Sequence, residues 1–187
     1  RPTKDGLNAV GFPSGVAGVP AEVIESLSPV VMKQRQLRQD SGGPGTWRGG
    51  LGQLTEFTRR GEGRWSVSSI ADRTVYAAPG LLGGQSGATG EVRLGDGTRL
   101  NAKALKDLKE GEVVHLNLPG GGGYGDPMKR AIEKVRWDVI ESYISPQEAE
   151  QRYGVAVRYT GKPHDLVKLP ENWVIDHART TELRSAR

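Results

Sequence analysis

The sequence predicts an α+β fold: a β-rich, glycine-rich body of short antiparallel strands and hairpins, followed by two short capped helices. Three observations carry this expectation. Gly makes up 27 of 187 residues while hydrophobic residues are 35% and aromatics 6%, a balance that favours short strands and turns over a helix bundle. Strand-like segments separated by glycine turns fill most of the chain up to about residue 118. From Asp126 onward the apolar spacing switches to three and four, the period of an amphipathic helix. The division expected is a body over 1–128, a helical pair over 129–154 and an extended tail over 155–187.

In chain order, the first twenty residues read as an extended lead, broken by Pro13, Gly15 and Gly18. "PAEVIES" suits a short helix with Pro20 at its first position. "PVVMKQRQLRQD" reads as a strand without a breaker. "LGQLTEFTRR" and "RWSVSSIADRTVY" read as two strands of one hairpin, joined by "RGEG". A second hairpin has a Gly-Asp-Gly turn between "GEVRL" and "TRLNA", with Val92, Leu94 and Leu100 alternating. "EGEVVHLNL" sets Val114, Leu116 and Leu118 on one face and His115 and Asn117 on the other. In "DPMKRAIEKVRWDVIESYIS", Asp126 is the cap, Pro127 opens the first turn, and Ile132, Val135, Val139, Ile140 and Tyr143 form the apolar stripe. "SPQEAEQRYG" restarts a helix with Ser145 as cap, Pro146 first, Glu148 closing a capping box and Gly154 as left-handed terminator. The tail holds a strand at "VAVRYT" and a short polar helix near "DHARTTELR".

Composition narrows the function classes. Lys and Arg exceed Asp and Glu by 26 to 22, but the basic residues are scattered, and nucleic-acid binding needs a concentrated basic footprint. With no cysteine there is no disulfide framework and no thiolate metal site. No stretch approaches the roughly 18 consecutive apolar residues of a membrane span. A soluble, cytoplasmic chain is expected, with no nucleic-acid or membrane partner. The start at Arg1, without Met, sets the expectation of a cut-out or processed fragment.

Several motifs invite chemistry. "DSGGP" at 40–44 is the string around the nucleophile of trypsin-like serine proteases. There the base His and its Asp precede the Ser, whereas His115, His164 and His177 all follow Ser41. A turn in which Asp40 and Ser41 bond local backbone is the better reading. Gly120, Gly122 and Gly125 satisfy GxGxxG between a strand and a helix. A second capped helix then stands where a dinucleotide fold needs its next parallel strand. Gly120, Gly121, Gly122 and Gly123 either cradle an anion or let another chain approach closely, since both need a permissive backbone. Arg48, in "TWRGGLG", suits bidentate capture of a carboxylate or phosphate beside Trp47, or a structural fork between loops. The His spacing presets no metal site.

Four strings in this order, "DSGGPGTWRGGLG", "PGLLGGQSG", "LPGGGGYGDP" and "SPQEAEQRYGV", resemble the carboxy-terminal part of the hydantoinase B family. That family includes the B-type subunit of N-methylhydantoinase, the corresponding half of 5-oxoprolinase, and subunits of acetone and acetophenone carboxylases. The likeness runs from about Pro20 to Val155 and implies one part of a longer B-type subunit within a multi-subunit, ATP-dependent enzyme. A hydantoinase A-type partner, carrying ATP and Mg, would phosphorylate a carbonyl oxygen of a small-molecule substrate. The B-type part would carry the activated species to ring opening or carboxylation. A divalent metal, if present, would sit on the amino-terminal portion of the B-type polypeptide, and no cofactor is expected on this chain.

The resemblance assigns no catalytic residue. Its loop framework supplies the substrate or interface candidates: Asp40, Ser41, Arg48, Gly120, Gly121, Gly122, Gly123, Tyr124 and Asp126. The function expected is the carboxy-terminal part of a B-type subunit in an enzyme opening a hydantoin- or 5-oxoproline-type cyclic amide. The alternatives are a ketone carboxylase subunit and a non-catalytic assembly module, and the chain is not expected to act alone.

Overall fold

The structure, a computed structural model, describes residues 3–10, 18–162 and 164–186; the predicted breakers Pro13 and Gly15 lie outside them. It is α+β. Helix α1 (Ala21–Leu27) follows Pro20, which stands at the cap rather than inside the first turn. Strands β1 (Val30–Leu37), β2 (Gln53–Arg59), β3 (Trp65–Ile70), β4 (Glu91–Leu94), β5 (Arg99–Leu100), β6 (Lys103–Leu108) and β7 (Val114–Asn117) follow. Helices α2 (Ile132–Ile140) and α3 (Pro146–Tyr153), strands β8 (Val157–Tyr159) and β9 (Trp173–Ile175), and helix α4 (His177–Ser185) complete the chain.

Five strands form an antiparallel sheet in the order β1-β2-β7-β4-β5. The Gly-Asp-Gly hairpin is β4–β5, closed by Leu94 N–H donating to Thr98 O at 2.9 Å. The hairpin expected between β2 and β3 does not form. β2 is flanked on both sides, by β1 and β7, so β3 pairs instead with β6 in a separate two-stranded ladder. That ladder covers one face of the large sheet. Val92, Leu94, Leu108 and Val114 are buried there with Phe57, Trp65, Val67, Leu100 and Leu116 against them, and Phe57 meets Trp65 edge-on at 6.1 Å. His115 and Asn117 take the opposite face, where Glu56 pairs with His115 at 3.0 Å.

A second core joins the helices to the tail: Val135 and Val139 of α2, Ile144, Ala149 and Tyr153 of α3 and its entry, and Val155, Val157, Trp173 and Ile175. The single long helix expected from Asp126 is divided. Asp126 accepts from Met128 N–H and caps only the 3₁₀ turn Pro127–Lys129, and α2 starts anew after Ala131. Arg130, between the two pieces, is extended and buried. Ser145 caps α3 by accepting from Glu148 N–H, and Gly154 ends it at φ 61°. The reciprocal half of the capping box comes from elsewhere, because Ser145 N–H donates to Asp40 Oδ1 at 2.7 Å.

Between the two cores four sheet strands continue as glycine-rich chains: β1, after a turn at 38–41 closed by Ser41 N–H donating to Arg38 O, into 41–45, 48–52 into β2, 84–90 into β4, and β7 into 118–124. Their contacts recur every third residue. Gln85 and Ala88 donate to Pro44 and Ser41, while Gly123 and Gly120 donate to Gln85 and Ala88, all at 2.7–3.1 Å. Three residues per turn without internal hydrogen bonds is the geometry of a polyproline II-type chain, in which crowded positions admit only glycine. Side chains added at Gly120, Gly122 and Gly123 would overlap the carbonyls of Ser41, Pro79 and Pro44 respectively. Gly84 and Gly87 press in the same way on the carbonyls of 120–123. Residues 3–10 join this bundle at the same period, Gly6 and Ala9 donating to Arg48 and Leu51.

Adjacent glycines should therefore respond unequally to the same change. Gly120→Ala drives a methyl into a backbone carbonyl and should cost about 3 kcal/mol or more in urea unfolding. Gly121→Ala, whose new methyl would meet, among the described residues, Gly50 N at 3.3 Å and O at 3.7 Å, should cost no more than about 1 kcal/mol.

Candidate functional site

Most of the predicted site residues converge on the bundle and its edge with α2. Ser41 is fully buried; its hydroxyl donates to Arg38 O at 2.5 Å and accepts from Gly52 N–H at 2.9 Å. Asp40 lies apart, at φ 59°, holding the start of α3 through Ser145 and donating its own N–H to Tyr143 O. Glu148 beside it is pushed above the usual carboxyl range, chiefly by burial, with the Asp40 charge adding to the effect and Arg152 opposing it. Tyr124 bridges two chains, exchanging backbone hydrogen bonds with Trp47 and pairing with Leu81. Asp126 caps its 3₁₀ turn and accepts at its carbonyl from Thr46 Oγ1 at 2.6 Å.

Arg48 reaches neither solvent nor an open cleft through its guanidinium. It is 3% exposed, donates to Gly49 O at 2.8 Å, places Nε 3.5 Å from Asp138 Oδ1 and lies 5.0 Å from the Tyr143 ring centre. Asp138 is shared with a second buried arginine. Arg130 donates to Asp138 Oδ2 at 2.7 Å, grips both oxygens of Asp5 at 2.6 and 2.9 Å, and donates to Thr46 O at 3.1 Å. Asp5 also accepts from Arg48 N–H at 2.8 Å. Two guanidiniums and two carboxylates thus tie residues 3–10, the bundle and α2 together.

Burial pulls the two carboxyls apart. Asp5 also feels desolvation, but the Arg130 hydrogen bonds and charge and the Arg48 N–H outweigh it and hold its carboxyl below the ordinary range. For Asp138, burial prevails over both guanidiniums and pushes the carboxyl up. Sequence reasoning missed Asp5, Arg130 and Asp138. A local signal existed only for Asp138, a charged residue between Val135 and Val139 on the apolar stripe.

Over the bundle runs an open trough of about 480 Å³, floored by Gly121, Gly122 and Gly123 and walled by Trp47–Gly50 on one side and Pro79 and Leu81 on the other. Lys4 and Gly6 close one end. A second hollow, of about 320 Å³, continues past Gly50 and Gly121 to Leu7, Val10, Leu118 and Pro119. Among the described residues no group of three or more His, Cys, Asp or Glu side chains is arranged to hold a metal ion. No helix there is long and apolar enough to cross a membrane.

This arrangement is that of the hydantoinase B/oxoprolinase family: its family profile matches residues 1–127, and the chain belongs to it. Among curated relatives, the B-type subunit of a putative D-/L-hydantoinase from Pseudomonas sp. (strain NS671) is 32% identical over 188 residues, covering 97% of this chain and 29% of that protein. The nucleotide-free acetone carboxylase structure, from work on ATP-dependent acetone carboxylation, shares the fold at a TM-score of 0.81 and 22% identity, over 98% of this chain and 28% of that one. The ATP-dependent caprolactamase of Pseudomonas jessenii matches at a TM-score of 0.71 and 27% identity, over 96% of this chain and 32% of that one. The chain spans less than a third of the length of these relatives.

Two predictions test the buried network. Arg130→Met strands two carboxylates and should cost about 3–5 kcal/mol in chemical unfolding, with part of the loss recovered when Asp138→Leu is added. Asp5→Asn should be destabilised at neutral pH. Since the folded-state value of Asp5 is depressed, its contribution is complete above the ordinary carboxylate range, about pH 4, and disappears as pH falls through the depressed value. The gap between the two proteins should close in acid in a pH series of unfolding curves.

Proposed function

We propose that the chain is the carboxy-terminal part of a hydantoinase B-type subunit, in an ATP-dependent enzyme that opens a cyclic amide of the hydantoin or 5-oxoproline type. Similarity to the B-type hydantoinase polypeptide of Pseudomonas sp. along 97% of the chain is the observation that carries this reading. An amide is a poor electrophile. Transfer of a phosphoryl group from ATP to its oxygen, on a hydantoinase A-type partner and with release of ADP, makes the carbon electrophilic. One water adds there and the ring nitrogen leaves with a proton, and a second water hydrolyses the resulting acyl phosphate to the acid and phosphate. ATP and Mg belong to that partner, and the rest of the B-type polypeptide completes the site.

The contribution of this chain is architectural. Ser41 commits its hydroxyl, Arg48 its Nη1 and Asp126 its Oδ1 to backbone groups of the framework, which supports a role in shaping and positioning the longer polypeptide. The same engagement favours a second reading, a module for subunit assembly. A ketone carboxylase is the alternative within the family.

Reconstitution of the chain with the remaining B-type polypeptide and an A-type partner should give ADP release that depends on 5-oxoproline or hydantoin. Release with acetone and bicarbonate only would move the assignment to carboxylation. Ser41→Ala and Asp126→Ala should leave turnover per assembled complex within about threefold, against the roughly 10²–10⁴-fold loss that follows removal of a general acid or base. A loss of that larger size in either variant would place the residue in the chemistry.

A further inference from the structure

Five buried side-chain atoms among the described residues have no hydrogen-bond partner: Arg48 Nε, Asn117 Oδ1, Arg130 Nε, Tyr153 Oη and Trp173 Nε1. Asn117 and Trp173 stand apart from one another, in β7 and β9. The other three belong to one cluster. Arg48 and Arg130 both face the Asp138 carboxylate, and the Tyr153 hydroxyl lies within electrostatic reach of Arg130, Asp138 and Arg48. All four residues are more than nine-tenths buried. A buried polar atom without a partner forfeits its hydration and gains nothing in return, and native interiors hold few of them. Three in one place mark a site.

The donors and acceptors already placed define what fits it. Arg130 Nη2 donates to Asp138 Oδ2 at 2.7 Å, whereas Oδ1 faces Arg48 Nε at 3.5 Å without a hydrogen bond. The occupant must therefore offer lone pairs to the two Nε–H groups and a hydrogen to Oδ1. Toward Tyr153 it can do either, since a phenol both donates and accepts. Burial pushes the Tyr153 hydroxyl up, so it keeps its proton at neutral pH. Charge sets the second condition. Two guanidiniums already meet two carboxylates, those of Asp5 and Asp138, and a further ion would stand uncompensated away from solvent. The occupant is neutral, small and able both to donate and to accept.

We propose that a single buried water binds among Arg48 Nε, Arg130 Nε, Asp138 Oδ1 and Tyr153 Oη. Its two lone pairs and two hydrogens match these groups, and buried waters ordinarily make two to four such bonds. The water gives the network a partner in α3. That helix is then held at both ends: Asp40 takes the N–H of Ser145 at its start, and Tyr153, its last residue, reaches the two arginines through the water. The assignment is independent of the reaction proposed above, because its test reads no turnover.

The test is a crystal structure of the intact polypeptide that carries this sequence, at a resolution that shows ordered waters, before and after a sodium bromide soak. One spherical peak within hydrogen-bond distance of at least three of the four atoms is expected, with no anomalous signal from bromide. In solution, Tyr153→Phe removes the hydroxyl while keeping the ring, and should lower the folding equilibrium constant about three- to tenfold, the size of an ordinary hydrogen bond. An unchanged constant would leave the hydroxyl without a partner and overturn the proposal. A site without density would also overturn it, as would a direct Tyr153–Asp138 hydrogen bond. An anomalous peak at the same position would assign the site to an anion instead, and the water would be refuted.

Discussion

Backbone meeting backbone, with nothing in between, is the constraint on which this structure depends. Side chains normally hold neighbouring chains apart, and a pleated sheet is the arrangement that gives them room above and below. Where glycine removes them, the same four strands draw together on all sides and turn at three residues per step, as polyproline II-type chains do. Each peptide group then finds a partner on a different neighbour: Gly121 donates to Gly50 and accepts from Gly43, and Gly123 donates to Gln85 and accepts from Leu81. The sheet, the trough, the lead at 3–10 and the seat of α3 on Asp40 all take their positions from that convergence.

Glycine is an unfavourable material for such a part, because it surrenders more backbone freedom on ordering than any other residue. What fixes the bundle against the helices is a set of charges with little access to water. Buried ion pairs seldom add much net stability, yet breaking one leaves an uncompensated charge. The Arg130 fork between Asp5 and Asp138 thus acts as a register pin. It admits one placement of the lead, the bundle and α2, and penalises every shifted one.

Local signals were legible in the sequence wherever local chemistry decides. The Gly-Asp-Gly turn gave β4–β5, the Ser145-Pro146 cap and Gly154 bounded α3, and the two faces of β7 followed from alternation. Failures came where a distant residue intervened. β3 left β2 because β7 had occupied that edge, and the expected helix from Asp126 broke where Arg130 is drawn inward. Glu148 lost the Ser145 N–H to Asp40, 105 residues away. The glycine runs read as loops because periodicity was sought in apolar residues. Their own spacing, Gly84, Gly87 and Gly90 on one chain and Gly49 and Gly52 on another, all facing residues 117–123, already carried the period of three. Asp5 had no sequence neighbour to betray its role.

The bundle also sets the order of events during folding. A polyproline II-type chain makes no hydrogen bond to itself, so none of these segments has anything to nucleate on alone. By contrast, α3 and the β4–β5 hairpin can start from residues close in sequence. The bundle must gather pieces near positions 6, 43, 50, 85 and 121 at one moment, and its loop-closure entropy is lost before any contact offsets it. The glycine bundle is accordingly the late, all-or-none step, and until it closes the chain holds two partial cores without a fixed relation to each other.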